Sequence, residues 1–529
     1  MVKGKKQNFL GGAVILTGAV AIVKVFSALY KIPLGNILDR EGMAHFYVAY
    51  NIYNLLLILS TAGLPLAVSR LVSEASALGR DNQKRRILRV GFALFLGLGL
   101  LFGGVMFFAT RPLTILLHDS LAYWSIKALS PAVLCVCLMS AIRGYTQGEG
   151  NMLPTAASEI VEALGKLLVG LTLAWYLLSR GAASEIGSAG AIAGVTAGTA
   201  AGFLSLLWYM LRRRSRPVGH DHPEPAGVIL RRILSIGIPI TVGAAGLSLI
   251  TLLDQSVVMG CLQNALGLSE HDAAALYGEY TFGMTLSNLP PSFVYPVVIS
   301  LVPAISGALT RGNQLSAARN TTTAFRIVAL LALPAGVGLS VLAGPILNLL
   351  YPAVPETAAA AAYYLQILGY SSIFVCMMVL TNGILQAYGK EYVPIFTLLA
   401  GGVMKVAVNY LTVGNPAIGI KGAPVGTLYC YVLITFLNLI AIRRYVPQRP
   451  DYYKIFGKPL LATVAMGLCA WASYRFFSGL LPGRIATLLS VLLAGTVYGV
   501  LILLLRVISR QDLLPLPHGE KIARFLHIR

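Results

Sequence analysis

Six basic side chains sit in or at the ends of stretches that are otherwise almost wholly apolar: Lys24, Lys31, Arg70, Arg143, Lys166 and Lys405. A charge in such surroundings costs a few kcal/mol even on lenient scales, roughly 2.5–3.5 at mid-bilayer, so each needs a counter-charge, a wet cavity or a route to the surface. Lys24, Lys166 and Lys405 lie too deep to reach the headgroups easily and are expected to line a polar cavity or pair beside one. Arg70 and Arg143 stand near helix ends, where a long side chain can also snorkel. Cations gathered this way suit an anionic ligand, above all a phosphate. Among carboxylates, Asp254 and Glu279, toward the outer ends of their helices, are candidates for binding a coupling cation or for standing as interfacial carboxylates. Glu159 and Glu162 precede Lys166 at helical spacing, and pairing of Glu162 with Lys166 would make that lysine structural. No metal-ligand spacing is present, and the Ser269-Glu270-His271-Asp272 loop lacks one too.

The elements that hold these residues are read from composition. Of 529 residues 57% are hydrophobic and 12% charged, with a mean hydropathy of +0.75, which places most of the chain in lipid. Apolar runs of about 20 residues recur along the whole length, enough for a helix to cross some 30 Å of hydrocarbon. Fourteen are expected, among them 9–30, 46–72, 233–259, 275–301 and 324–349. The net charge of +21 falls between runs, in Lys3, Lys5 and Lys6, in Arg80 to Arg89, in Arg212 to Arg232, in Arg311 to Arg326 and in Arg443 to Lys458. Such alternation marks every second loop as cytoplasmic, with both termini on that side of a bacterial cytoplasmic membrane, and argues against nucleic acid as a partner. The first run contains Lys24 and lacks a small-residue cleavage site, so it should stay as a helix. The six cysteines, mostly inside apolar runs, suggest no disulfide framework and no zinc.

The chain also repeats itself. A shift of 231 positions brings Pro65, Ser69, Arg80, Asn82 and Gln83 onto Pro296, Ser300, Arg311, Asn313 and Gln314; a shift of 239 brings Gly144, Gln147, Gly150 and Lys166 onto Gly383, Gln386, Gly389 and Lys405. Tandem duplication of a six-helix unit explains both, and predicts an all-α membrane protein of about fourteen helices in two pseudo-symmetric lobes. Residues 1–216 form the first lobe, 217–230 a cytoplasmic linker, 231–446 the second lobe, and 447–529 two further helices with a tail. Pro65 and Pro296 are expected to bend matching helices, and Pro131, Pro239, Pro290, Pro291, Pro303 and Pro334 to interrupt others.

The segment Gly63-Leu64-Pro65-Leu66-Ala67-Val68-Ser69-Arg70, followed by a basic loop, and the segment Arg143-Gly144-Tyr145-Thr146-Gln147-Gly148-Glu149-Gly150-Asn151 resemble the stage V sporulation protein B type of polysaccharide transporter. That group lies in the multidrug/oligosaccharidyl-lipid/polysaccharide exporter superfamily and is similar to the lipid II flippases. The resemblance runs along the whole chain. It implies a flippase, with no cofactor and no enzymatic step, that carries an undecaprenyl-diphosphate-linked oligosaccharide between leaflets by alternating access, works as a monomer among membrane lipids, and serves cell-envelope synthesis proteins. Lys24 stands where such flippases carry a cation in helix one, and Lys31 loosely matches a second. The acidic residue early in helix two is not matched, His45 taking its place. A cation-coupled multidrug antiporter of the same superfamily is the second reading, which the basic helix one disfavours. A membrane glycosyltransferase or polymerase is a third; it would need a carboxylate or histidine pair on a sizeable loop, and the loops here are short.

Overall fold

The computed structural model describes residues 9–212, 221–447, 451–505 and 507. Lys3, Lys5, Lys6, Arg213, Arg214, Arg216, Pro217, Arg449 and the C-terminal tail lie outside them, as do the side chains of Lys24, Pro239, Pro296, Pro303 and Lys454.

The described chain is helical and, among the described residues, contains no strand. This is what lipid demands, since each backbone group must find its partner within the segment. In order the helices are α1 (Phe9–Ile37), α2 (Arg40–Thr61), α3 (Leu64–Ala77), α4 (Asp81–Phe108), α5 (Thr110–Leu116), α6 (Tyr123–Gly148), α7 (Leu153–Ser179), α8 (Ser184–Arg212), α9 (Ala226–Gly260), α10 (Glu270–Ser287), α11 (Leu289–Thr310), α12 (Gln314–Val341), α13 (Ala343–Leu350), α14 (Pro355–Ala387), α15 (Tyr392–Val413), α16 (Gly422–Tyr445), α17 (Tyr452–Ser478) and α18 (Gly483–Leu504). Among the described residues, eleven segments are long and apolar enough to cross a membrane, α2 and α3 counting as one. The other long helical segments, α1, α9 and the α10–α11 pair, stand where the sequence expects crossings.

Three of the expected runs are broken. Residues 46–72 divide at Ala62 and Gly63, with Pro65 in the first turn of α3; residues 275–301 divide at Asn288, ahead of Pro290 and Pro291; residues 324–349 divide at Leu342. A proline in the first helical turn gives up no hydrogen bond, so the chain restarts there at little cost. Pro131 and Pro334 lie inside α6 and α12, which run on without a break. The duplication is visible in backbone as well as sequence. Gly150 and Gly389, matched by the repeat, both take left-handed conformations, φ +80° and +70°, between α6 and α7 and between α14 and α15. That region of φ favours glycine because it carries no Cβ.

By packing, the chain divides into a unit up to Thr281 and a unit from Phe282. In unit 1, α7 lies along α8 at glycines: a Cβ on Gly194 would overlap the backbone of Gly170, and one on Gly198 would meet Glu162 and Lys166. Small residues at such crossings let helices approach closely in lipid. α2 and α3 pack on α9, where Gly63 and Gly237 allow close approach. In unit 2, α17 and α18 pack together and against α12 and α13, around Leu342, Met466, Ala470 and Ala494.

The linker residues that are described are tied to unit 1. Asp221 Oδ1 and Oδ2 accept from the backbone N–H groups of Asn82 and Gln83 at 3.0 and 2.9 Å, capping α4 from outside its own chain segment, and Gln83 Oε1 accepts the Glu224 N–H at 2.7 Å. Some burial raises the Asp221 pKa, but those N–H groups outweigh it and hold the carboxyl below its ordinary range. The matching helix α12 caps itself through Asn313, which accepts from Ser316 N–H at 2.9 Å. Replacing Asp221 by Ala should therefore speed hydrogen exchange at Asn82 and Gln83 several-fold and leave Ser316 unchanged. Because the folded pKa is depressed, the cap is present above the ordinary aspartate range and is lost as the pH falls through the lowered value.

Candidate functional site

Three cations of the first half, Lys31, Arg143 and Lys166, lie in unit 1 along the aromatic side chains of α2 and the ion pairs that continue from them. α1 ends its apolar stretch with Tyr30 and Lys31, and Tyr30 is fixed by donating its hydroxyl proton to the Ala191 carbonyl of α8 at 2.9 Å. This leaves Lys31 against α2, whose Phe46, Tyr47, Tyr50 and Tyr53 recur at helical spacing and form a ledge. Phe46 and Tyr50 stack at 5.5 Å between centroids, and Tyr50 meets Tyr53 at 5.8 Å. The Lys31 ammonium lies 4.9 Å above the Tyr47 ring and 5.1 Å above Tyr50, and donates weakly to the Tyr47 hydroxyl at 3.4 Å. Cation–π contacts of this kind contribute roughly 0.5–2 kcal/mol each, enough to hold an ammonium in place without neutralising it. Among the described residues no carboxylate pairs with Lys31.

The ledge continues to the other cations. Lys166 of α7 reaches to 6.0 Å from the Tyr53 ring and donates to Glu162 Oε1 at 2.7 Å, one turn away on the same helix. Glu162 Oε2 accepts in turn from Arg143 of α6 at 3.3 Å, and Arg143 also donates to Ser158 Oγ at 3.0 Å. The side chains of Arg143, Glu162 and Lys166 are 16, 12 and 20% exposed, so this is a shielded triad. One carboxylate serves two cations. Lys166 is thus structural in part, as its spacing to Glu162 anticipates, while the triad keeps a net positive charge. Even with half-buried Glu159 counted, Lys31 and the triad carry more cations than carboxylates.

The remaining expected residues are placed elsewhere. The backbone of Lys24 belongs to α1, two turns before Lys31. Arg70 lies on the exposed face of α3, 66% accessible, and pairs with Glu74 at 3.2 Å; Glu74 also holds Arg232 of α9 at 2.8 Å. Lys405 is buried in unit 2 on α15, at 6% exposure. Gly401 occupies the position that matches Glu162 in the repeat, so the carboxylate four residues before the lysine is not repeated in the second half.

A second polar cluster, less visible in the sequence, occupies the end of unit 1 where α1 turns into α2. His45 and Asp119 form a buried pair at 2.8 Å, 1 and 0% exposed, and Asp119 also accepts the Ala122 N–H at 3.1 Å. Asn51 donates to Gln255 Oε1 at 2.6 Å. Asp254, next to Gln255 on α9, is 4% exposed. Glu279 binds Arg40 at 3.0 Å, so its charge is already matched by a residue that belongs to no apolar run. His271 meets Glu41 at 3.0 Å; the hydrogen-bonded carboxylate holds the ring's pKa above the ordinary histidine range, so this contact is full at lower pH and is lost as the pH rises past the raised value. Hydrophobic periodicity cannot show pairs such as His45 with Asp119, because the partners are far apart in the chain.

Comparison with known proteins gives these arrangements a context. Residues 9–309 match the family described as polysaccharide biosynthesis protein, and residues 239–411 match the MatE family. An uncharacterized membrane protein, YabM, of Bacillus subtilis is 27% identical, covering 99% of this chain and 98% of its own. Stage V sporulation protein B of the same organism is 24% identical, covering 97 and 98%, and its lipid II flippase MurJ is 25% identical, covering 93 and 94%. Among solved structures, an inward-facing multidrug resistance transporter of the MATE family superposes with a TM-score of 0.69 at 14% identity, covering 82% of this chain and 98% of its own. The lipid II flippase MurJ in an inward closed conformation gives 0.68 at 14% identity, covering 93 and 98%. The fold is therefore the multi-pass helical fold of these transporters, and the chain belongs to the family described as polysaccharide biosynthesis protein.

Proposed function

We propose that this protein is a flippase for an undecaprenyl-diphosphate-linked oligosaccharide, a peptidoglycan precursor or a related envelope unit, in the bacterial cytoplasmic membrane with both termini cytoplasmic. The observation that carries the reading is the Lys31 ammonium, held on a tyrosine ledge with no carboxylate partner among the described residues and continued by a triad with net positive charge. A diphosphate supplies the missing anion, and aromatic faces suit the sugar that follows it. The similarity to a lipid II flippase over nearly the whole of both chains supports the same substrate class. In this reading Lys24, Lys31 and Arg143 meet the head group, Lys166 holds Glu162 and Arg143 in place, Arg70 meets phosphate near the membrane surface, Lys405 serves the second half, and the prenyl tail stays in lipid. Asp254 and Glu279 are the candidates for a coupling cation, Glu279 in competition with its bond to Arg40.

Expression of the chain in cells depleted of their own lipid II flippase should restore growth, and Lys24→Ala, made at native abundance in the membrane, should not. Normal rescue by Lys24→Ala would remove that lysine from the path. Failure of the unaltered chain to rescue would point to a different lipid-linked sugar.

A further inference from the structure

The amino end of α6 carries a lysine that the transport reading does not use. Lys127 donates to the Tyr123 hydroxyl at 3.0 Å and lies over three rings, 5.0 Å from Phe107, 5.2 Å from Tyr123 and 5.8 Å from Trp124. It is half-buried, and among the described residues no carboxylate pairs with it. It therefore lacks the counter-ion that Lys166 finds in Glu162 and Arg40 in Glu279. The rings also restrict the side chain, so it is not simply waving toward water as an ordinary surface lysine does.

From this ammonium an open groove of about 390 Å³ runs between α6, α7 and α8. Its walls are apolar, with Leu173 and Leu177 on one side and Ala189, Gly190 and Ala193 on the other. Small residues on α8 keep the trough open, and Trp124, half exposed at its mouth, has the amphipathic ring typical of the headgroup level. Arg180, at the end of α7 beyond Leu177, lies 5.2 Å from the Tyr176 ring and likewise forms no ion pair among the described residues. A cation held on rings near the amino end of α6, next to an apolar trough, has the complementary shape and charge of a phospholipid.

We propose that this groove binds an anionic glycerophospholipid, its phosphate on Lys127 and one acyl chain along Leu173, Leu177 and Ala193. The site lies outside the Lys31 ledge and does not depend on what the protein transports. A lipid seated there would tie α8 to α6, which carries Arg143, and to α7, which carries Glu162 and Lys166.

The test uses the full chain purified in detergent and mass spectrometry of the intact protein with phosphatidylglycerol or phosphatidylcholine added. The native protein should retain one phosphatidylglycerol about ten times more tightly than phosphatidylcholine. Lys127→Gln should lose that preference with its phosphatidylcholine retention unchanged, and Lys127→Arg should keep it. Ala193→Phe, which fills the trough and leaves the cation alone, should weaken both lipids and provides an independent reading if Lys127→Gln does not fold. Equal retention of the two lipids by the native protein would mean a seat for acyl chains only, and would overturn the proposal. So would a phosphatidylglycerol preference that survives Lys127→Gln, or lipid retention that Ala193→Phe leaves unchanged.

Discussion

Replacing Glu162 by Ala should destabilise the protein by about 3–5 kcal/mol, the usual cost of stripping one partner from a buried ionic network. Two cations, Arg143 and Lys166, depend on this one carboxylate, with side chains only 16 and 20% exposed. Without it they repel each other in a setting that solvates them poorly. Glu162→Gln retains hydrogen-bonding atoms but not the charge, and should fall between the native protein and the alanine variant. Glu162→Leu combined with Lys166→Met removes one charge of each sign and should recover part of the loss, because Arg143 still has Ser158 Oγ at 3.0 Å. Thermal unfolding of the purified protein, with yield as a second readout, measures the series. If Glu162→Ala melts with the native protein, the triad does not hold α6 to α7.

Lys31→Ala should have the opposite profile, a normal fold with a large loss of transport. Folding loses only the contacts to Tyr47 and Tyr50, at 4.9 and 5.1 Å, worth roughly 0.5–2 kcal/mol each at most. Transport loses a charge-assisted contact to a phosphate, about 1.5–3 kcal/mol, which corresponds to about a ten- to hundred-fold drop in apparent substrate affinity. Lys31→Arg keeps both the charge and the ring contacts and should retain most activity. A leaflet-translocation assay with purified lipid-linked substrate in vesicles reads the difference. Flipping by Lys31→Ala at the native rate and affinity would show that this ammonium does not meet the cargo. Stability and transport thus separate along one ledge: Glu162 holds the scaffold, and Lys31 is left for the ligand.

Much of this was legible in the chain itself. The i, i+4 spacing of Glu162 and Lys166 announces their pair, and the matched Gly150 and Gly389 announce equivalent turns, because both depend on residues close in sequence. The breaks at Gly63, Asn288 and Leu342 were harder to read, since an apolar run looks the same whether one helix or two cross it. The two prolines in the first turn of α11 are the available signal. Along the sequence the linker is a basic spacer, whereas in the structure Asp221 and Glu224 clip it to the start of α4. Their partners lie well over a hundred residues upstream, beyond the reach of local pattern.

By itself the sequence determined the solvent, the helical class, the duplication and the inventory of charges, because hydropathy and the cost of charge in lipid act on each residue whatever its neighbours. Only the tertiary structure decided which of those charges are spent. Arg143 came to share Glu162 with Lys166, Arg40 took Glu279, His45 found Asp119, and Lys31 and Lys127 were left on aromatic rings. Ion pairing is a matter of a few ångströms between helices distant in the chain, and the packing that sets those distances cannot be seen along a single strand of residues.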